Sequence, residues 1–210
     1  MNPTTREPVT IAVIGSFASG KSTFVGMLGE LGAETVSSDE IVHELLAHDT
    51  EAIKRIVERF GGDVLGEESV DRKSLGGKVF GDEEALKALE DILHPLVRKE
   101  TDRRILGSEA EIFVAEIPLL FEGTRSGDFD YTVAVLPPEE RRKEWAAERG
   151  VGEDRLRAIE ARQFSGEEKA RRADVVIQND GGLELLWERA VNFLDHVRRE
   201  RESDYDEEEV

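Results

Sequence analysis

The chain has 210 residues, 36% of them charged, and a net charge of −19. So acidic a surface argues against general nucleic-acid binding, which needs a basic face, and against adsorption to anionic membranes. With no cysteine, and with four histidines (His43, His48, His94, His196) at no ligand spacing such as H-E-x-x-H, disulfides and the familiar zinc sites are excluded.

Residues 1–8 lack the apolar core of a signal peptide, and no run approaches the roughly 18 apolar residues of a membrane span. The expectation is a cytoplasmic protein, a monomer or small homo-oligomer, with one domain large enough to bury a core. The apolar run Val9 to Ile14 predicts a strand. Gly15-Ser-Phe-Ala-Ser-Gly20-Lys21-Ser22 follows it, fitting G-x-x-x-x-G-K-[ST], with Thr23 behind. Phe24, Val25, Met27 and Leu28 then mark a helix. Strand, glycine loop and helix are the context in which this motif binds phosphate. Gly15 and Gly20 let backbone N–H groups turn inward, and the helix adds the positive end of its dipole. Lys21 then reaches the β- and γ-phosphates, and the Ser22 hydroxyl is placed to ligate Mg²⁺. Backbone and side chains of Gly15, Ala18, Ser19, Gly20, Lys21, Ser22 and Thr23 are thus the expected ATP cradle.

Glu34–Ser37 reads as a second strand, after which Ser38-Asp39-Glu40 starts a helix. Apolar positions at helical spacing run in two sections, Ile41 to Leu46 and Ile53 to Phe60, with a break near His48–Thr50 where Thr50 is a candidate cap. Phe60-Gly61-Gly62 is a stop signal. A loop reaches Asp71-Arg72, and helices are expected over 74–80 and 83–94. Pro95 either ends the latter or opens a further helix to about Leu106.

Ile112 to Ile117, Tyr131 to Leu136 and Val175 to Gln178 are short apolar runs of the kind that form buried parallel strands. Residues 138–172 are dense in Arg and Glu, a composition that suits a solvated helical segment. The last helix carries the stripe Leu183, Leu186, Trp187, Ala190, Val191, Leu194 and Val197, and the acidic residues 201–210 read as a disordered tail. Strands alternating with helices predict an α/β fold with a five-stranded parallel sheet. Its core is expected at about 9–38, 107–137 and 173–200, interrupted by helical residues 39–106 and the charged block 138–172.

Several positions carry two readings on residues alone. Asp39 suits a general base that accepts a hydroxyl proton, or a helix-capping residue. Glu116 at a strand end suits an acid that orients Mg²⁺ or its water, or a solvent-facing acid. His94-Pro95 shapes a helix end or contacts substrate. Glu122 bonds substrate or sits as an acid near a helix N-terminus. Arg72 pairs with a substrate phosphate or anchors its loop. Asn179-Asp-Gly181 borders a nucleotide base or makes an ordinary strand-to-helix turn. Among the arginines of the charged block, Arg149 is chosen because Gly150 behind it would break a helix and aim it inward.

Together these segments resemble the dephospho-coenzyme A kinases over about residues 10–195. The resemblance rests on the phosphate loop, Asp39, Phe60-Gly61, Asp71-Arg72-x-x-Leu75, Leu89-Glu90-x-Ile92-Leu93-His94-Pro95, Pro118-Leu-Leu-Phe-Glu122, Gln163 and Ala173-Asp174-x-x-Ile177-x-Asn179-x-Gly181. It implies a P-loop NTPase three-layer fold with a substrate lobe at 39–106 and a lid at 138–172. It also implies ATP- and Mg²⁺-dependent phosphorylation of the ribose 3′-hydroxyl of dephospho-CoA. Asp39, Lys21 and Arg149 would be catalytic. Asp39, Arg72, His94, Leu120 and Glu122 would meet the acceptor. Gly15 to Thr23 with Asn179 and Gly181 would hold the nucleotide, and Ser22 with Glu116 the metal. A different small acceptor, or a nucleotide-binding regulator with little transfer activity, are the alternative functions. The chain departs from the family's pattern in three places. Ser16, Phe17 and Ala18 stand where Gly, an aliphatic residue and Gly are usual. Ser37 replaces the first of two acids. Glu144 and Glu148, or Trp145 on a one-residue slip that restores Arg149, stand where lid arginines are expected.

Overall fold

The computed structural model describes residues 7–67, 69–122 and 127–208, with the backbone alone for 204–208. The chain divides into two compact units, one running to Thr35 and resuming at Ser108, the other Val36–Gly107.

The first unit is built on β1 (Val9–Ile14), α1 (Lys21–Glu30), the start of β2 (Glu34–Ser37), β3 (Ile112–Glu116), β4 (Tyr131–Leu136), α6 (Glu139–Glu148), α7 (Glu153–Glu160), α8 (Gly166–Arg172), β5 (Val175–Gln178) and α9 (Leu183–Glu208). The sheet has the order β2-β3-β1-β4-β5. β1 is parallel to β3, with Val13 opposite Glu116, and to β4, with Ile14 opposite Ala134; β4 is parallel to β5. β1, β3 and β4 are buried nearly throughout, which explains their apolar runs, broken only by Thr10, Thr132 and the terminal Glu116. Their side chains form one core with Phe24 and Leu28 of α1 and Leu186, Phe193 and Leu194 of α9. The five-stranded parallel α/β fold expected from the sequence is thus the observed one.

The second unit contains α2 (Ser38–His48), α3 (Thr50–Phe60), a 3₁₀ turn (Gly62–Val64), α4 (Arg72–Val79) and α5 (Glu83–Gly107). Its caps are side chains. Ser37 Oγ accepts the Asp39 N–H at 3.2 Å, Asp49 Oδ1 accepts the Ala52 N–H at 2.7 Å, and Asp71 Oδ1 accepts the Lys73 N–H at 3.0 Å. The break between α2 and α3 therefore lies as expected, but Asp49 rather than Thr50 makes the cap.

Two expectations about helix ends are corrected. Pro95 neither ends nor starts a helix; it lies inside α5, a single element of 25 residues. A proline removes the bond to the carbonyl four residues earlier, here that of exposed Asp91, and its ring crowds that carbonyl. The turns on either side are fixed by buried Ile92, Leu93 and Leu96. Of the expected acidic tail, residues 201–208 continue α9, which runs to Glu208, and residues 209–210 lie outside the described residues. No Gly or Pro interrupts that stretch, and Arg198 and Arg201 bond the Leu31 and Glu111 carbonyls, extending the anchored part of the helix.

Candidate active site

The phosphate loop leaves β1 and turns tightly into α1. At Gly15 a Cβ would lie 2.4 Å from Ser19 Oγ and 2.9 Å from the Val135 carbonyl oxygen, so no larger residue fits. Gly20 adopts φ 90°, and a Cβ there would stand 2.3 Å from Asn179 Nδ2. Ala18, where a glycine was expected from the resemblance, takes φ 59°. Its methyl is 3% exposed, packed with Ala146 of α6 and Leu156 of α7 and bordered by Phe17, Trp145 and Val151.

The reactive end of the loop converges on one acid. Ser22 Oγ donates to Glu116 Oε1 at 3.0 Å, and Lys21 Nζ lies 3.9 Å from the same oxygen while donating to the Ser16 carbonyl at 3.3 Å. Lys21 and Glu116 are both buried. The parallel register dictates this: Glu116 is the last residue of β3 and pairs with Val13, two residues before the loop begins. A hydroxyl and a carboxylate at this spacing suit Mg²⁺, which takes one or two protein oxygens and completes its shell with phosphate and water. Among the described residues no cluster of three or more His, Cys, Asp or Glu offers a different metal site. Ser19 Oγ is buried without a hydrogen-bond partner among the described residues.

Asn179 is buried, and its Nδ2 donates to the Ser19 carbonyl at 2.9 Å. It therefore braces the phosphate loop from the β5–α9 turn and does not cap α9. Gly181 belongs to the same turn, where a Cβ would meet Leu185 Cδ2 at 2.7 Å. A cavity of about 750 Å³ opens beside Ser16, lined by Pro137, Arg142, Gln163, Phe164 and Asp180 among others.

In the charged block the inward arginine is not the expected one. Arg149 is exposed at the C-terminal cap of α6; Gly150, at φ 73°, ends the helix without turning that side chain inward. Arg142 is 6% exposed instead. It bonds Glu139 at 2.8 and 3.0 Å, bonds Glu160, and reaches the Phe17 carbonyl at 3.4 Å. Burial works against its charge, but Glu139 and Glu160 more than offset this, so its pKa is raised and that of Glu139 lowered. Arg142 sits on the α6 face that packs toward the loop, a position visible only once the helix phase is known.

Two acceptor candidates lie in the 118–122 segment. Leu120 is 2% exposed. Glu122 is not directed to open solvent: its Oε1 accepts the Phe164 N–H at 2.7 Å and lies 3.1 Å from Lys169 Nζ. Lys169, buried on α8, carried no sequence signal beyond its place in a charged run.

The remaining candidates belong to the second unit. Asp39 is exposed on the first turn of α2, and Ser37, not Asp39, is the cap. The serine that replaces an expected acid thus starts the helix that presents Asp39. No hydrogen bond or ion pair engages the Asp39 carboxylate among the described residues. Arg72 Nη1 donates to His43 Nδ1 at 2.9 Å. His43 lies one helical turn after Asp39 and was not singled out in the sequence. Asp71 is the α4 cap, its carboxyl held below the usual range by the Ser74 hydroxyl and neighbouring backbone N–H groups. His94 is exposed on α5.

A family model described as dephospho-CoA kinase matches residues 9–184. The chain belongs to the dephospho-CoA kinase family. It is similar to the dephospho-CoA kinase of Mesorhizobium japonicum, 39% identical over 199 residues that cover 93% of this chain and all of the relative. It is also similar to that of Aquifex aeolicus, 33% identical over 90% of this chain and 98% of the relative. Among solved structures, TT1252 from Thermus thermophilus superposes with a TM-score of 0.76 at 34% identity, covering 90% of this chain and 97% of that one. The dephospho-CoA kinase from Campylobacter jejuni gives 0.65 at 27%, covering 91% and 98%. A shikimate kinase from Acinetobacter baumannii, at 17% identity and a TM-score of 0.55, shares the fold. As a dephospho-CoA kinase the chain is a phosphotransferase, and the family works with ATP and Mg²⁺ in CoA biosynthesis. Membership favours dephospho-CoA over another acceptor, and catalysis over a purely regulatory role. No helix among the described residues is long and apolar enough to cross a membrane.

Proposed function

We propose that the protein transfers the γ-phosphoryl group of ATP to the ribose 3′-hydroxyl of dephospho-CoA, using Asp39 as general base. The observation that carries this reading is the convergence of Lys21 and Ser22 on Glu116 beneath a glycine-constrained loop. Phosphoryl transfer needs little covalent work from a protein; it needs positioned cations and an oriented nucleophile. The loop backbone and Lys21 bind the phosphates and neutralise the charge that develops on them. Ser22 and Glu116 would hold Mg²⁺, which when bound supplies further charge neutralisation at the phosphate oxygens. Asp39, a carboxylate without a competing partner, orients the acceptor hydroxyl and takes its proton. Arg72 is the acceptor-binding cation of the second unit. On this reading the enzyme acts in the cytoplasm and needs neither nucleic acid nor membrane.

The test is ADP release with dephospho-CoA as acceptor. Asp39→Ala is expected to lower kcat by about 10²–10⁴-fold while ATP binding stays near wild type. Unchanged turnover removes Asp39 from the mechanism, and no turnover of dephospho-CoA by the wild type removes the acceptor assignment.

A further inference from the structure

Lys169 is 1% exposed, an unusual position for an ammonium group. Its Nζ donates to the Pro118 carbonyl at 2.6 Å and lies 3.1 Å from Glu122 Oε1. One buried cation thus closes both ends of the turn that follows β3. Pro118 stands two residues after Glu116, and Ile117 between them is fixed to β1 through its N–H to the Val13 carbonyl at 3.0 Å. Glu122 also holds the Phe164 N–H, so the same pair ties in the segment between α7 and α8. The start of α8, just after that segment, abuts the phosphate loop: a Cβ at Gly166 would lie 3.4 Å from Ser16 Oγ. Burial pulls the Lys169 pKa down and Glu122 opposes the shift, so placing an ammonium group here carries a desolvation cost. A core position that needed only volume would be filled by methionine or leucine without that cost.

We propose that Lys169 is a positioning residue of the transfer site, closing the Pro118–Glu122 turn so that the Glu116 carboxylate stays fixed against Ser22 and Lys21. It acts through Glu116 and touches neither substrate. The proposal rests on the role given to Glu116 above.

The experiment compares Lys169→Met, Glu116→Gln and the double variant in kcat, in the KM for ATP and in ATP binding by calorimetry without metal. Lys169→Met is expected to lose about 10–100-fold in kcat, as loss of a partner that orients a site ligand commonly does. In the Glu116→Gln background the same change should cost no more than about 2-fold, because the residue it serves is already altered. Metal-free ATP binding should stay within about 3-fold of wild type, since the phosphate loop is untouched. Wild-type kcat in Lys169→Met overturns the proposal. So do losses that multiply in the double variant, or metal-free binding that falls as far as kcat. If Lys169→Met does not yield folded protein, Glu122→Gln carries the test. That amide keeps the shape but weakens the hold on Lys169. A kcat loss of about 3–10-fold that vanishes in the Glu116→Gln background supports the role, and an unchanged kcat overturns it. Wild-type activity in Glu116→Gln itself removes the site reading and, with it, this proposal. An impaired Glu116→Gln with multiplying losses removes only the part given to Lys169.

Discussion

Asn179 offers a sharp test of how the phosphate loop is held. Its Nδ2 donates to the Ser19 carbonyl at 2.9 Å, and the residue is 7% exposed. Asn179→Ala leaves that carbonyl buried and unpaired, a loss of about 1–3 kcal/mol that does not vary with pH. Asn179→Asp behaves differently. An ionised carboxylate in that place presents an acceptor to an acceptor, whereas the protonated acid donates to Ser19 as the amide did. The introduced carboxyl therefore has a folded-state pKa above its unfolded value of about 3.9. A raised acid pKa means that the folded protein keeps a proton the unfolded chain has released. The stability is intact below about pH 3.9 and is lost as pH rises through the folded pKa. A rise of about 2 units costs roughly 3 kcal/mol once pH exceeds 6, at about 1.4 kcal/mol per unit. Urea unfolding at pH 4.5 and pH 8, with the wild type subtracting the background, should give a deficit of about 1 kcal/mol or less at the lower pH and about 3 at the higher. An equal deficit at both pH values, or an Asn179→Ala protein as stable as wild type, refutes the bracing role.

Pro95→Ala should stabilise the second unit. Pro95 is exposed inside α5, so alanine restores a backbone hydrogen bond without losing packing. The intrinsic gain of about 3 kcal/mol is offset by about 0.4–1 for the freer unfolded chain, leaving about 2 kcal/mol in chemical denaturation. A loss of stability would mean that the proline shapes a contact of His94 or Leu96. Glu100 gives an acid-limb prediction. The Arg103 hydrogen bond, followed by that of Arg104, holds its carboxyl at about 2, well below the ordinary 4.5. Its contribution is present above pH 4.5 and disappears as pH falls toward 2. Glu100→Gln should flatten thermal stability across that window by less than about 1 kcal/mol, because Arg103 is water-accessible. An unchanged slope would remove the pair from the acid response.

What could be read in advance followed the periodicity of the chain. β1, β3 and β4 were visible because they are buried nearly throughout and carry almost continuous apolar runs. The Gly15 to Ser22 loop was visible because its two constrained glycines leave a fixed spacing. Other features depend on neighbours far away in sequence. Pro95 looks like a boundary until Ile92, Leu93 and Leu96 are seen to be buried around it. The glycine after Arg149 points to that residue as the inward arginine, but helix phase and the Phe17 carbonyl select Arg142. Lys169 and Glu122, 47 positions apart in the numbering, gave no local sign of pairing. The His43–Arg72 bond is likewise invisible until α4 is placed beside α2.

Ala18 carries a lesson for anyone who would transplant this loop. Its left-handed backbone costs an alanine about 1–2 kcal/mol, yet its methyl fills the space between Ala146 and Leu156. Positions 18, 146 and 156 therefore behave as one unit of substitution. Glycine grafted at 18 relieves the backbone but opens a gap in that small cluster, and a side chain larger than alanine at 146 collides while alanine stays at 18. A glycine-rich loop borrowed from a relative must bring the matching residues of α6 and α7 with it. Chimeras that exchange residues 15–22 alone should lose stability that exchanging the two segments together restores.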